Sequence, residues 1–181
     1  VIPGGGGSKE MTRRAAMTYQ KDDVEVNRLR ENFLTIGMAK VAKSAHEAYD
    51  LNILERGKDI VVVSRDRQLA IAKQQAKLLA DSGYTQPVKT NNIKVLGRQA
   101  LGAFLVGTDQ MNAGRYISEH DQKIANKLAY VMSGGDLSEA NYVSEQYLLD
   151  LEREAFLSLC GERKTLERLQ HMIKKGKPLR N

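Results

Sequence analysis

Apolar positions recur every three to four residues along most of this chain, which predicts a mainly helical protein. Leu29, Phe33 and Ile36 mark a helix from about Val26 to Thr35. Ser44 and Glu47 are spaced as a capping box, Ser44 accepting from the Glu47 amide while Glu47 reaches back to Ser44; the short helix they open ends near Asn52. The β-branched run Ile60 to Val63 is the best strand candidate. Ser64 then caps a helix whose Leu69, Ala72, Ala76 and Leu79 share a face and which Gly83 closes. Paired apolar residues from Ile93 to Thr108 predict a buried helix; its Gly97, Gly102 and Gly107 either admit a second helix at close range or kink it.

Ser118 with Asp121 repeats the Ser-x-x-acid helix start, and a face of Ile124, Leu128 and Val131 runs on until Gly134 and Gly135 stop it. Asp136 or Ser138 is placed to cap the next helix, where Val143, Tyr147, Leu148, Leu151, Ala155 and Leu159 form the most regular stripe of the chain before Gly161 breaks it. A last helix, Lys164 to Lys175, buries Leu166, Leu169, Met172 and Ile173 and ends at Gly176 and Pro178. The sum is about five to seven helices with one or two short strands.

One stretch ignores this periodicity. Four successive glycines, Gly4 to Gly7, carry an entropic cost that a plain connector need not bear, so they point to positive φ or a close approach to the main chain. Ser8 is placed as a helix N-cap, with Lys9 to Met17 following as helix. Bare amides and a helix dipole then converge on one spot, suited to an anion, a carbonyl oxygen or a held water. The same run has the composition of a flexible linker, natural or engineered.

Composition narrows the classes. The 181 residues suit one domain with a sizeable core, and no apolar run approaches the roughly 20 residues of a membrane-spanning helix. A lone Cys160 excludes an internal disulfide and suits a reducing, cytoplasmic setting. The formal charge of +6 suits RNA, a membrane surface or a phosphate-rich ligand. Basic residues are densest in the last stretch with no aromatics interleaved, which argues against nucleic acid. His46, His120 and His171 are scattered and read as surface or capping residues, Cys160 as a small apolar side chain, and Glu119-His120-Asp121 as a solvated first turn; no metal-ligand spacing and no catalytic set is present.

Val1-Ile-Pro-Gly-Gly-Gly-Gly-Ser8 resembles the Ile-Pro-Gly-x-Gly-Gly-Thr motif of the enoyl-CoA hydratase/isomerase (crotonase) superfamily, and Ser44 to Leu51 resembles the segment that follows that family's active-site half, with Asn52-Ile53 where Gly-Leu is usual. Leu151-Glu-Arg-Glu-Ala-Phe156 and the basic end are similar to its closing helices, although Arg163 and Met172 depart from the pattern. Over nearly its whole length the chain most resembles the carboxyl-terminal part of bacterial fused 3-hydroxyacyl-CoA dehydrogenase/enoyl-CoA hydratases.

The resemblance implies the C-terminal portion of a crotonase-like α/β spiral, with residues 1–57 ending the core, 58–133 a helical insert and 134–181 a C-terminal helical pair. It implies a parent enzyme of fatty-acid β-oxidation that hydrates 2-enoyl-CoA and oxidises the product with NAD in a separate domain. The catalytic glutamates would lie upstream and NAD would bind the separate dehydrogenase domain, so the chain alone would bind no NAD and turn nothing over. It further implies acyl-CoA contact by Gly4, Gly5, Gly6, Gly7, Phe156, Lys174, Lys175 and Lys177, and self-association over apolar surface left uncovered. The rival from another class is a helical interaction module in which the glycine run is incidental.

Overall fold

A computed structural model describes residues 1–181. The chain forms eight α-helices, one 3₁₀ turn and a two-stranded antiparallel sheet. The elements are α1 Gly7–Ala16, α2 Glu25–Gly37, α3 Ala45–Asp50, α4 Gln68–Asp81, β1 Ile93–Val95, α5 Gly97–Ala113, α6 Glu119–Met132, β2 Asn141–Val143, α7 Glu145–Cys160 and α8 Arg163–Lys175. They divide into two compact units, residues 42–89 and the remainder, 1–41 with 90–181.

The larger unit holds the core. Leu29, Phe33, Val95, Phe104, Leu128, Met132, Leu148 and Leu159 are buried together, and the rings of Phe33 and Phe104 stack with centroids 4.7 Å apart. β1 and β2 pair with Ile93 opposite Val143. The first of these strands occupies the start of the stretch that its apolar pairs marked as helix; the helix begins only at Gly97. Gly97 has φ +64°, and a Cβ there would lie 2.6 Å from the Glu139 carbonyl oxygen. Its amide donates to Ser133 O at 2.9 Å, and the Arg98 amide donates to Leu137 O at 2.7 Å. Gly97 therefore marks a backbone crossing at the head of α5. Gly102 and Gly107 have open space where a Cβ would stand, so neither receives a second helix within this chain.

The local stop and start signals act as expected at several points. Ser118 and Asp121 form the full capping box of α6, and Gly134 and Gly135 end that helix at φ +84° and +82°. Gly176 ends α8 in the left-handed region. At Ser44 the hydroxyl does accept from the Glu47 amide at 3.1 Å, but Glu47 reaches the Lys43 amide, at 2.6 Å, one residue before the cap. The cap of α7 is neither Asp136 nor Ser138. Ser144 takes that place and accepts from the Tyr147 amide at 3.1 Å, because β2 occupies the intervening residues.

The unit of residues 42–89 contains α3 and α4. Ile60 to Val63 runs there without a strand partner, since β propensity alone supplies no ladder. No residue of α4 is buried; Leu69 is 82% exposed and Leu79 50%. Ile71, Ala72, Leu54 and the Ile60 to Val63 run line an open groove of about 540 Å³. In α8 the apolar positions are likewise more open than their spacing suggested: Leu166, Met172 and Ile173 are exposed, and only Thr165 is buried. Both faces are amphipathic patterns that this chain by itself does not cover.

Candidate functional site

The glycine run is built around a carboxylate that arrives from the far end of the sequence. Helix α1 begins at Gly7, with Gly6 as its N-cap at φ +95°, a conformation that a residue with a Cβ rarely adopts. Ser8 is thus already inside the first turn, and its hydroxyl caps nothing. Capping is done by Glu152 of α7. The Gly6 amide donates to Glu152 Oε1 at 2.6 Å, and the Ser8 and Lys9 amides donate to Oε2 at 2.8 and 3.3 Å. Glu152 is 2% exposed. A buried carboxylate left without partners would be costly, and three main-chain donors at the positive end of a helix compensate it. The anion that the run of amides invited is therefore intramolecular.

Phe156, one turn further along α7, lies over Gly4: a Cβ on Gly4 would come within 2.8 Å of the ring carbons Cδ2 and Cε2. On the other side of the run, a Cβ on Gly6 would approach Leu149 Cδ2 at 3.3 Å. One face of α7 thus shapes the loop through Leu149, Glu152 and Phe156. Gly4 and Gly5 remain exposed while Gly6 is buried.

An ionic cluster fixes the first turn of α1. Lys9 Nζ contacts Glu145 Oε2 at 2.9 Å and Glu10 Oε2 at 3.3 Å. Glu10 also receives Arg13 Nη2 at 2.6 Å and Arg14 Nε at 2.9 Å. Hydrogen bonds from Arg13 and then Arg14 outweigh partial burial and hold the Glu10 carboxyl well below the usual carboxylate range. Burial pushes the Lys9 ammonium down, but hydrogen bonds to Glu145 and Glu10 outweigh it and leave Lys9 above its ordinary value. Glu145 Oε1 accepts from the Thr90 amide at 2.9 Å. That bond and the one from Lys9 keep Glu145 below its ordinary value.

Of the residues singled out from the sequence, the fold brings Gly4, Gly6 and Phe156 together. Lys174, Lys175 and Lys177 lie exposed on the end of α8 and beyond it, and no hydrogen bond or ion pair joins them to the glycine run or to Phe156. Glu152 carries the loop, yet the sequence reading passed over it. Its signal was present: position 152 falls on the buried stripe of Leu148, Leu151, Ala155 and Leu159, and an acid on such a stripe must be paired inside.

His120 is not a surface residue. It is 5% exposed, and its Nε2 lies 3.0 Å from Thr165 Oγ1, tying α8 to α6. Burial and then Arg168 lower its pKa. Beside it Arg168 Nη1 bonds Asp121 Oδ1 at 2.6 Å, so the first turn of α6 is a docking point for α8 rather than a solvated one. Cys160 is half-buried and free. No group of three or more His, Cys, Asp or Glu side chains could hold a metal, and no helix is long and apolar enough to cross a membrane.

Across all 181 residues the chain is 49% identical to a probable 3-hydroxyacyl-CoA dehydrogenase of Bacillus subtilis (strain 168). It spans 22% of that relative's length. No protein-family model and no solved structure matches.

Proposed function

We propose that these residues form a supporting part of a 3-hydroxyacyl-CoA dehydrogenase that also hydrates 2-enoyl-CoA, and that they border the acyl-CoA pocket of its hydratase portion. The observation that carries this reading is the 49% identity over all 181 residues to the dehydrogenase relative. The fused, crotonase-like form rests on the likeness of the Val1 to Ser8 motif and of the closing helices to that superfamily. Such an enzyme adds water across the double bond of 2-enoyl-CoA, then moves a hydride from the 3-hydroxyacyl product to NAD.

Within this chain the residues do not fit NAD. Dinucleotide sites need a Gly-x-Gly-x-x-Gly turn whose free amides face a pyrophosphate, whereas here the amides of Gly6 and Ser8 already serve Glu152. The cofactor belongs in this reading to another part of the polypeptide. The role left to the glycine loop is steric: with its inner amides committed, exposed Gly4 and Gly5 give a wall without side chains, along which a thioester can pass. Phe156 and the loose basic group Lys174, Lys175 and Lys177 would meet the nucleotide end of coenzyme A, the lysines as mobile point charges for phosphate.

The exposed apolar positions of α4 and α8 are covered in the same reading by other parts of the enzyme and by a second copy of the chain, so self-association is expected. Those same open faces favour the second reading, a helical interaction module without catalysis. Kinetics separate the two. The full-length gene product that contains these 181 residues should reduce NAD with 3-hydroxybutyryl-CoA and hydrate crotonyl-CoA, and the 181 residues alone should do neither. A full-length product inactive in both assays would leave the interaction module as the better reading.

A further inference from the structure

Between α5 and α6 the chain turns through Gly114 and Arg115, and Arg115 holds a left-handed backbone at φ 58°. That conformation costs a residue with a Cβ roughly 1 kcal/mol. The turn borders a cavity of about 320 Å³ lined by Asn112, Arg115, Tyr116, Ser118, Asp121 and Arg180. The Asp121 carboxylate, which lines it together with Asn181, is already engaged. Asp121 Oδ1 accepts from Arg168 at 2.6 Å, and Oδ2 accepts from the Ser118 amide at 3.1 Å and the Ser118 hydroxyl at 2.9 Å. Arg168 in turn bonds the Asn181 side chain at 2.8 Å and its main-chain oxygen at 3.2 Å. Arg115 and Arg180 are different: both residues line the cavity and neither side chain has a hydrogen-bonding or ionic partner in the protein.

Two unpartnered guanidiniums on one concave surface repel each other until an anion comes between them. The planar fork of each offers paired donors that match phosphate oxygens. The Asn112 side-chain amide is engaged with Gln122 Oε1, while Tyr116, 80% exposed at the rim, offers a flat face and a hydroxyl. We propose that this notch binds a phosphate monoester, its dianion held between Arg115 and Arg180. The proposal does not rest on the acyl-CoA reading of the glycine loop, because a free phosphate ester would satisfy the notch as well as the 3′-phosphate of coenzyme A.

The test is a titration of the 181-residue chain with inorganic phosphate, followed by amide chemical shifts, and then with coenzyme A and dephospho-coenzyme A. Saturable phosphate binding with shifts centred on residues 112–118 and 180–181 is expected. Arg115→Ala with Arg180→Ala should weaken it by about tenfold or more, as two charge-assisted contacts are lost. Both side chains are exposed, so circular dichroism should be unchanged, and the double Arg→Lys variant should recover part of the affinity. Tighter binding of coenzyme A than of its dephospho form would support the site and name its ligand; equal binding of the two with phosphate still saturable would support it for another phosphate ester. No saturation, unchanged affinity in the double alanine variant, or shifts centred on residues 174–177 would overturn it.

Discussion

The amide of Gly6 and the carboxylate of Glu152 meet at 2.6 Å across 146 positions of sequence. That contact converts a run of glycines into a defined loop, because it fixes the α1 N-terminus on the buried face of α7. Removing the carboxylate leaves buried amides without acceptors. Glu152→Ala is expected to cost about 3 kcal/mol or more of stability, and Glu152→Gln, which keeps one acceptor oxygen, about half as much. Urea unfolding of the three proteins provides the comparison; equal midpoints would mean that the loop does not depend on Glu152.

Glycine substitutions should separate by position. Gly97→Ala meets the carbonyl oxygens of Glu139 and Leu137 at 2.6 and 2.7 Å and keeps φ +64°, so a loss of about 3 kcal/mol or more is expected. Gly102→Ala points into open space within helix α5 and should stabilise by about 0.5 to 1 kcal/mol. Thermal unfolding of both variants measures the difference in sign.

His120 makes stability depend on pH. Its pKa lies below the ordinary 6.5 in the folded state, from burial and then from Arg168, so the unfolded chain binds more protons as pH falls through that ordinary value. The contribution is complete above about pH 6.5 and is lost as pH drops toward the depressed folded value. Glu10 and Asp121, also held below their ordinary values, add a second loss beneath about pH 4. Unfolding midpoints from pH 8 downward should fall in these two steps, and His120→Gln should flatten the upper one alone.

Residues 42–89 should be the most open part of the chain on the hydrogen-exchange timescale. Helix α4 has no buried residue, whereas α6 and α7 carry Leu128, Val131, Met132, Leu148 and Leu159 in the core. Amides of α4 are expected to exchange through local opening, those of α6 and α7 only near global unfolding. Sedimentation of the chain should show association over the uncovered faces; a monodisperse monomer would count against it.

What the sequence disclosed and what it hid divide along range. Helix ends at Gly134, Gly135 and Gly176 and the Ser118 box were legible because each signal lies within one turn of its effect. The β1–β2 pairing was not, since Ile93 finds Val143 only in the folded chain. Ile60 to Val63 misled for the complementary reason: the residues suit a strand, but nothing pairs with them. At the candidate site a place for an anion, a carbonyl oxygen or a held water beside the glycine run was legible in Gly4 to Lys9. The occupant's identity as Glu152 depended on a contact between opposite ends of the chain, with only an acid on an apolar stripe to announce it.

The most direct measurement is a paired kinetic assay of Glu152→Gln in the full-length gene product. If the loop that Glu152 holds borders a hydratase pocket, crotonyl-CoA hydration should fall by about tenfold or more, chiefly in kcat/KM, the scale set by a small displacement of a positioning element. Oxidation of 3-hydroxybutyryl-CoA with NAD should stay at the level of the unmodified enzyme. Equal losses in both reactions, or hydration left unchanged while the loop amides lose their acceptor, would contradict the assignment of this loop to an acyl-CoA pocket.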